Sequence, residues 1–352
     1  MPTFLPRRRG IALVAAGAAG VAAIAAAIVI PSGAADAATA CTWTATKLPA
    51  LPGSANHGGA VLGTDGAGTY SGYAFLAKAQ HAALWRAGGV VDLGQPFGTP
   101  TVAQDVNRAG TAVGWSIAAG NVSTAIVWRA GVAAALPLPA GSGPSARALS
   151  INDNNLAAGW RTDAAGHEVG VIWSLAGATP TIVRQYAATD LNAVDAANRV
   201  VGLRRDTGGG FTAIKGRPSQ TTVDALRPAV AGESAIATAT AGTWIAGAEL
   251  VAGGLGDRPV LWAATAPRVL NGGKASLSAV TAAGTAAGTL EDPNGNPAHA
   301  AVWPGVDAVQ LPDVGTVSTA SSISDDGTQV GGSWIATGVG VNPERPIVWT
   351  CG

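Results

Sequence analysis

The chain has 352 residues, 21 Lys+Arg against 21 Asp+Glu, 12% charged residues, two cysteines, four histidines and eleven tryptophans. A neutral balance without a basic stripe excludes a nucleic-acid binder held by phosphate contacts. Histidines never spaced at i, i+3 or i+4, with no cysteine pair nearby, exclude a zinc site.

In chain order, residues 1–40 come first. Arg7, Arg8 and Arg9 precede an apolar run from Ile11 to Ile30, followed by Pro31, Gly33 and Ala38-Thr39-Ala40. This pattern predicts a signal peptide cleaved after Ala40 or Ala37, exported by either the Sec or the Tat route. An uncleaved membrane anchor is the rival reading, and in that case the segment is the chain's one membrane contact. Removing Arg7, Arg8, Arg9 and Asp36 leaves 18 basic against 20 acidic residues, a charge of −2.

From Trp43 to Trp349 one pattern recurs seven times: a small polar turn former, a glycine seven residues later, then an aliphatic run ending in tryptophan. The turn formers are Asp65, Asn107, Asn152, Asp195, Thr240, Thr281 and Ser324, paired with Gly72, Gly114, Gly159, Gly202, Gly247, Gly288 and Gly331. The closing residues are Trp85, Trp128, Trp173, Lys215, Trp262, Trp303 and Trp349, so the units run 43–85, 85–128, 128–173, 173–215, 215–262, 262–303 and 303–349. Within 85–128, Val90–Leu93, Thr101–Val106, Ala112–Ser116 and Thr124–Trp128 read as four strands, the middle pair joined by a tight hairpin. Asn107 bonds the local backbone there and Gly110 takes positive φ, as Gly284 and Gly327 do in their own turns. Thr243 breaks that rule, with Gly242 beside it as compensation. Four strands in about 44 residues, seven times over, predict an all-β, seven-bladed β-propeller forming a single domain over residues 41–352. An open β-solenoid is the alternative.

The chain ends predict closure. Trp43 stands eight residues before Leu51, as Trp85 stands before Leu93, so the N-terminal segment supplies one strand of a blade whose other three end at Trp349. Cys41 and Cys351 then fall where other repeats have a tight turn, and a Cys41–Cys351 disulfide is expected to replace it; export permits the oxidation. Lipidation of Cys41 is the competing reading.

If the second strand of each unit is innermost, both tight turns lie on one face and both longer loops on the other, where function is expected. The candidate ligand-binding residues on that face are Arg161, His167, Arg204, Arg205, Asp206, Asp257, Arg258 and Arg345. Asp292, Asn294 and Asn296 carry the oxygens of a calcium loop, although no acidic residue closes an EF-hand. No other cofactor is expected. Trp115 and Trp160 read as blade packing, or as sugar-stacking platforms if they face the loops. No nucleophile elbow, phosphate loop or dinucleotide fingerprint is present. Glu233, Glu249, Glu291, Asp206 and Asp257 are the carboxylates from which a glycosidase pair could be drawn.

The blocks His81-Ala82-Ala83-Leu84-Trp85 with Val91-Asp92-Leu93-Gly94, Asp105-Val106-Asn107 with Gly110 and Val113-Gly114, and Ser150-Ile151-Asn152-Asp153 resemble the HAF-type extracellular repeat over about residues 43 to 349. Phenylalanine is absent from the third HAF position after both His81 and His299. The resemblance implies a secreted or surface propeller and carries over no site. The expectation is an exported, monomeric binding module for a carbohydrate, wall polymer or protein. The alternatives are a secreted carbohydrate-active hydrolase or lyase with its site at the channel mouth, and a purely structural extracellular protein.

Overall fold

The computed structural model describes residues 41–54, 58–87, 89–251, 257–263, 266–336 and 344–352. The expected signal segment, His57, Gly88 and Asn342 lie outside the described residues. Among the described residues, short alternating runs separated by Gly, Asp and Asn turns form 28 strands in seven antiparallel four-stranded sheets. From the inside out, blade 1 is Gly59–Thr64, Tyr70–Leu76, Ala79–Arg86 and Gly89–Gly94; blade 2 is Thr101–Val106, Ala112–Ile117, Ser123–Arg129 and Val132–Ala135. Blade 3 is Ser142–Ile151, Leu156–Asp163, Glu168–Ser174 and Thr181–Ala187; blade 4 is Thr189–Val194, Val200–Arg205, Phe211–Gly216 and Asp224–Ala225. Blade 5 is Ser234–Ala241, Trp244–Leu250, Asp257–Ala263 and Ala266–Val269; blade 6 is Ala275–Val280, Ala286–Glu291, Pro297–Trp303 and Val309–Gln310.

Blade 7 is composite: Ser318–Ile323, Gln329–Ile335 and Glu344–Cys351 from the C-terminal end, with Trp43–Lys47 as its outer strand. Trp43 pairs with Cys351 and Lys47 with Ile347, and Cys41 is joined to Cys351 by a disulfide with 5.5 Å between Cα atoms. The inner strands of successive blades touch one another around the ring, blade 7 returning to blade 1. This is the closed seven-bladed propeller expected from the repeat.

Each inner strand carries a β-bulge at one equivalent point, where two residues oppose one: between Val61 and Gly63, Ala103 and Asp105, Ala148 and Ser150, and so on through Ala320 and Ser322. The repeat glycine faces it. A Cβ on Gly72, Gly114, Gly159 or Gly202 would sit 1.9–2.0 Å from a carbonyl oxygen of the inner strand, so only glycine fits. In blade 7 the sequence spacing picks the wrong residue. The Ser324 turn closes onto Gln329, one residue further than in blades 1 to 4 and 6, so Gly332 and not Gly331 meets the carbonyl, that of Thr319 at 1.8 Å.

The repeat tryptophans are buried between blades. Each indole Nε1 donates to a carbonyl at or just beyond the end of the outer strand of the preceding blade: Trp85 to Pro49, Trp128 to Leu93, Trp173 to Pro137, Trp262 to Arg227, Trp303 to Asn271 and Trp349 to Pro312, at 2.7–3.2 Å. Burying a large aromatic while satisfying its one donor binds neighbouring blades together. At the blade 3–4 boundary, where Lys215 replaces tryptophan, the polarity reverses. Tyr186 on the outer strand of blade 3 is buried there and donates to the Arg217 carbonyl of blade 4 at 2.6 Å.

Candidate functional site

Antiparallel order places the turn between first and second strands and that between third and fourth on one face in blades 1 to 6, and in blade 7 the Cys41–Cys351 disulfide stands at the second of these places. Asp65, Asn107, Asn152 and Asp195 each accept, through the side-chain oxygen, the backbone N–H four residues on at 2.8–3.0 Å. Gly68, Gly110, Asn155, Asn198, Gly284 and Gly327 all have positive φ, and Gly242, at +57°, serves a two-residue turn in blade 5. These residues also lace blades together: Asn107 Nδ2 donates to the Asn152 carbonyl at 3.2 Å, and Asn152 Nδ2 to that of Asp195 at 2.7 Å. The turn face is thereby committed to structure.

On the opposite face an open cleft of about 390 Å³ lies at the boundary of blades 4 and 5. Blade 4 contributes Asp206, Phe211 and Thr212, and the crossover into blade 5 contributes Leu226, Pro228, Glu233 and Ser234. The walls are tied across the boundary, since the Phe211 N–H donates to Ser234 Oγ at 3.1 Å. Gly210 fits because a Cβ there would lie 2.9 Å from that same oxygen. Thr212 Oγ1 donates to Asp206 at 2.8 Å.

Guanidinium groups brace both sides. Arg258 donates to Glu233 at 2.5 Å and to the fully buried Glu249 at 2.8 Å; Glu249 also accepts the Ala229 N–H of the crossover. Arg205 bonds Glu168 of blade 3 and, at 3.1 Å, Asp190 on the inner strand of blade 4, while its guanidinium lies 5.4 Å from the Phe211 ring centre. Two carboxylates thus share one guanidinium. Burial above all, and then Glu168, push the Asp190 carboxyl up to about 7. Further round the ring, Arg147 lies between Trp115 and Trp160, 4.0 and 5.5 Å from their ring centres, and donates from Nε to Ser123 Oγ at 3.1 Å. Both indoles are half-buried and hold a cation of the chain itself.

Of the eight residues expected on the loop face, four meet here: Arg205 and Asp206, with Arg204 Nε 3.9 Å from Asp206, and Arg258 through Glu233. Most of the eight stand at strand ends rather than within loops. The others are dispersed: Arg161 donates to Gln185 in blade 3, His167 leans on Asp163, the Asp257 N–H reaches Glu291 in blade 6, and Arg345 stands opposite Trp334 in blade 7. Asp292 accepts the N–H groups of Asn294 and Asn296 at 2.8 and 2.9 Å, bonds that hold its carboxyl below the ordinary value. Its oxygens therefore build the turn. His81 and His299 each face a carboxylate in their own blade, Asp92 at 3.0 Å and Asp313 at 2.9 Å.

Phe211 and Ser234 were missed by sequence reasoning. Phe211 carries a visible signal, as one of only four phenylalanines and the first residue after a Gly-rich loop. Ser234 carries none, because it joins the site only when blade 5 docks on blade 4.

No family model and no curated protein matches the chain. Among solved structures, one from a study of two prolyl endopeptidases is 13% identical, covers 84% of this chain and 50% of its own, and has a TM-score of 0.50. A post-proline cleaving enzyme from Rickettsia typhi is 12% identical over 86% of this chain and 50% of its own, with a TM-score of 0.47. TolB from Acinetobacter baumannii is 12% identical over 58% and 51%, with a TM-score of 0.38. The chain spans about half the length of each. Likeness at this identity concerns the fold alone, and the class of protein defined is a β-propeller.

Proposed function

We propose that this propeller is an exported binding module whose ligand, a carbohydrate or wall polymer, enters the loop-face cleft between blades 4 and 5. The cleft itself carries the reading: an aromatic ring, two carboxylates and two hydroxyls converge on a concavity within the size range of small-ligand sites. Export is supported by the Cys41–Cys351 disulfide, since such bonds persist in oxidising compartments. Among the described residues, no helix is long and apolar enough to cross a membrane. Kinship with the HAF-type extracellular repeats belongs to the same proposal. Asp206 and Glu233 are both engaged in holding the walls, which favours binding over hydrolysis.

The test is a thermal-shift screen of the purified protein against cell-wall polysaccharides, oligosaccharides and peptides, because a ligand that binds only the folded state raises the midpoint. A saccharide shift that disappears in Phe211→Ala, with the variant's own melting otherwise cooperative, supports the proposal. A shift confined to peptides, or a saccharide shift unchanged in Phe211→Ala, refutes it.

A further inference from the structure

We infer that the cleft sorts saccharides by charge, accepting neutral and amino sugars and turning away acidic ones. The inference rests on the binding role proposed above and adds the chemical class of the ligand.

The groups lining the cleft include two carboxylates, Asp206 and Glu233, and no ammonium or guanidinium. None of the cations nearby lines the cavity, the exposed Arg227 of the crossover included. Arg258 is divided between Glu233 and Glu249, and Arg205 between Glu168 and Asp190. Arg204 reaches Asp206 only at 3.9 Å and does not line the cavity. An acidic polymer would bring a third negative charge to this wall with no cation lining the cleft to meet it, and like charges in a partly desolvated cleft repel more strongly than in water.

Hydrogen-bond inventory points the same way. An ionised carboxylate only accepts. Thr212 already donates to Asp206, and Ser234 already accepts from the Phe211 N–H. The two wall carboxylates therefore call for donors, which sugar hydroxyls and above all an ammonium group supply, whereas the added carboxylate of a uronate brings only further acceptors. The Phe211 ring gives the apolar face of a sugar ring a surface to stack on, its position set by Arg205 beside it.

The experiment is isothermal titration of the purified protein with three oligosaccharides of equal length: a neutral glucan, a glucosamine oligomer and a galacturonate oligomer. The neutral and amino oligomers are expected to bind, with the acidic one at least tenfold weaker. In Asp206→Asn, whose amide oxygen still accepts from Thr212, the ratio of acidic to neutral affinity should rise severalfold. Raised salt should narrow the gap between them. Equal or tighter binding of the galacturonate oligomer overturns the charge inference and leaves the binding role standing. Binding of none of the three removes the proposed role and this inference with it.

Discussion

At the residue scale, two carboxyls stand out because burial opposes their charge. Asp105 accepts the Ser150 hydroxyl at 3.0 Å and the Ile151 N–H at 2.9 Å, yet burial pushes its carboxyl up to about 7, as it does for Asp190 beside Arg205. Both groups hold their proton more tightly in the folded chain than in the unfolded one, whose ordinary value is 3.8. Protonation therefore favours folding. Stability should rise as pH falls from about 8 to about 5, each group contributing as much as roughly 3–4 kcal/mol, and the gain should level off near pH 4, where the unfolded chain also takes up protons. Asp163, Asp292 and Asp326 behave oppositely, since hydrogen bonds hold their carboxyls low and their contribution is lost below pH 4. The expected outcome is a higher melting temperature at pH 5 than at pH 8, with Asp105→Asn shrinking the difference. A midpoint higher at pH 8 than at pH 5 would contradict this account. Tyr186→Phe should cost about 1 kcal/mol, the value of one hydrogen bond at the only blade boundary without a tryptophan, measured by urea denaturation.

At the element scale, the inner-strand bulge and the glycine opposite it form one device. Gly159→Ala would place a methyl group 2.0 Å from the Arg147 carbonyl, which neither strand can yield without losing its ladder. A loss of about 2–4 kcal/mol is expected, against about 1 kcal/mol for Gly166→Ala, where φ is +85° and the space is open. Comparable losses at the two positions would mean that backbone conformation, and not the bulge, selects glycine. The tryptophan staples belong to this scale too. Trp173→Phe keeps most of the buried area but forfeits the 3.0 Å bond to Pro137, for an expected loss of about 1–2 kcal/mol, whereas Trp173→Ala should cost about 3–5 kcal/mol. The turn formers and tryptophans were readable from the repeat because each acts through its own spacing. The bulge was not, because every inner strand carries one, so the extra residue is already contained in the period and breaks no spacing.

At the scale of the whole molecule, closure depends on a five-residue outer strand with four of its residues exposed. Beyond its ladder to Glu344–Cys351, that strand is held by the packing of Trp43, by Lys47 lying 4.5 Å from the Trp334 ring centre, and by the disulfide, which joins residues 310 positions apart. The double variant Cys41→Ser, Cys351→Ser should lose at most about 5 kcal/mol on the chain-entropy model. Hydrogen exchange should quicken first at Thr44 to Lys47, while the amides of blades 2 to 6 keep their protection. Uniform loss of protection in all seven blades would show instead that the ring opens as a unit.

The repeat spacing by itself determined the number of blades, the strands in each and the location of the seam, and it placed Cys41 beside Cys351, where the structure shows the disulfide. These are properties of a periodic chain, in which one local solution is written many times and its ends must complement each other. Only the tertiary structure decided that Gly332 replaces Gly331 in blade 7, that Tyr186 stands in for the tryptophan missing at Lys215, and that Phe211, Glu233 and Ser234 share a cleft with Asp206. The first depends on a hairpin one residue longer within blade 7, and the others on which side chain faces across a blade boundary. That relation joins residues about 20 to 45 positions apart through the docking of two sheets, and no spacing within a single repeat encodes it.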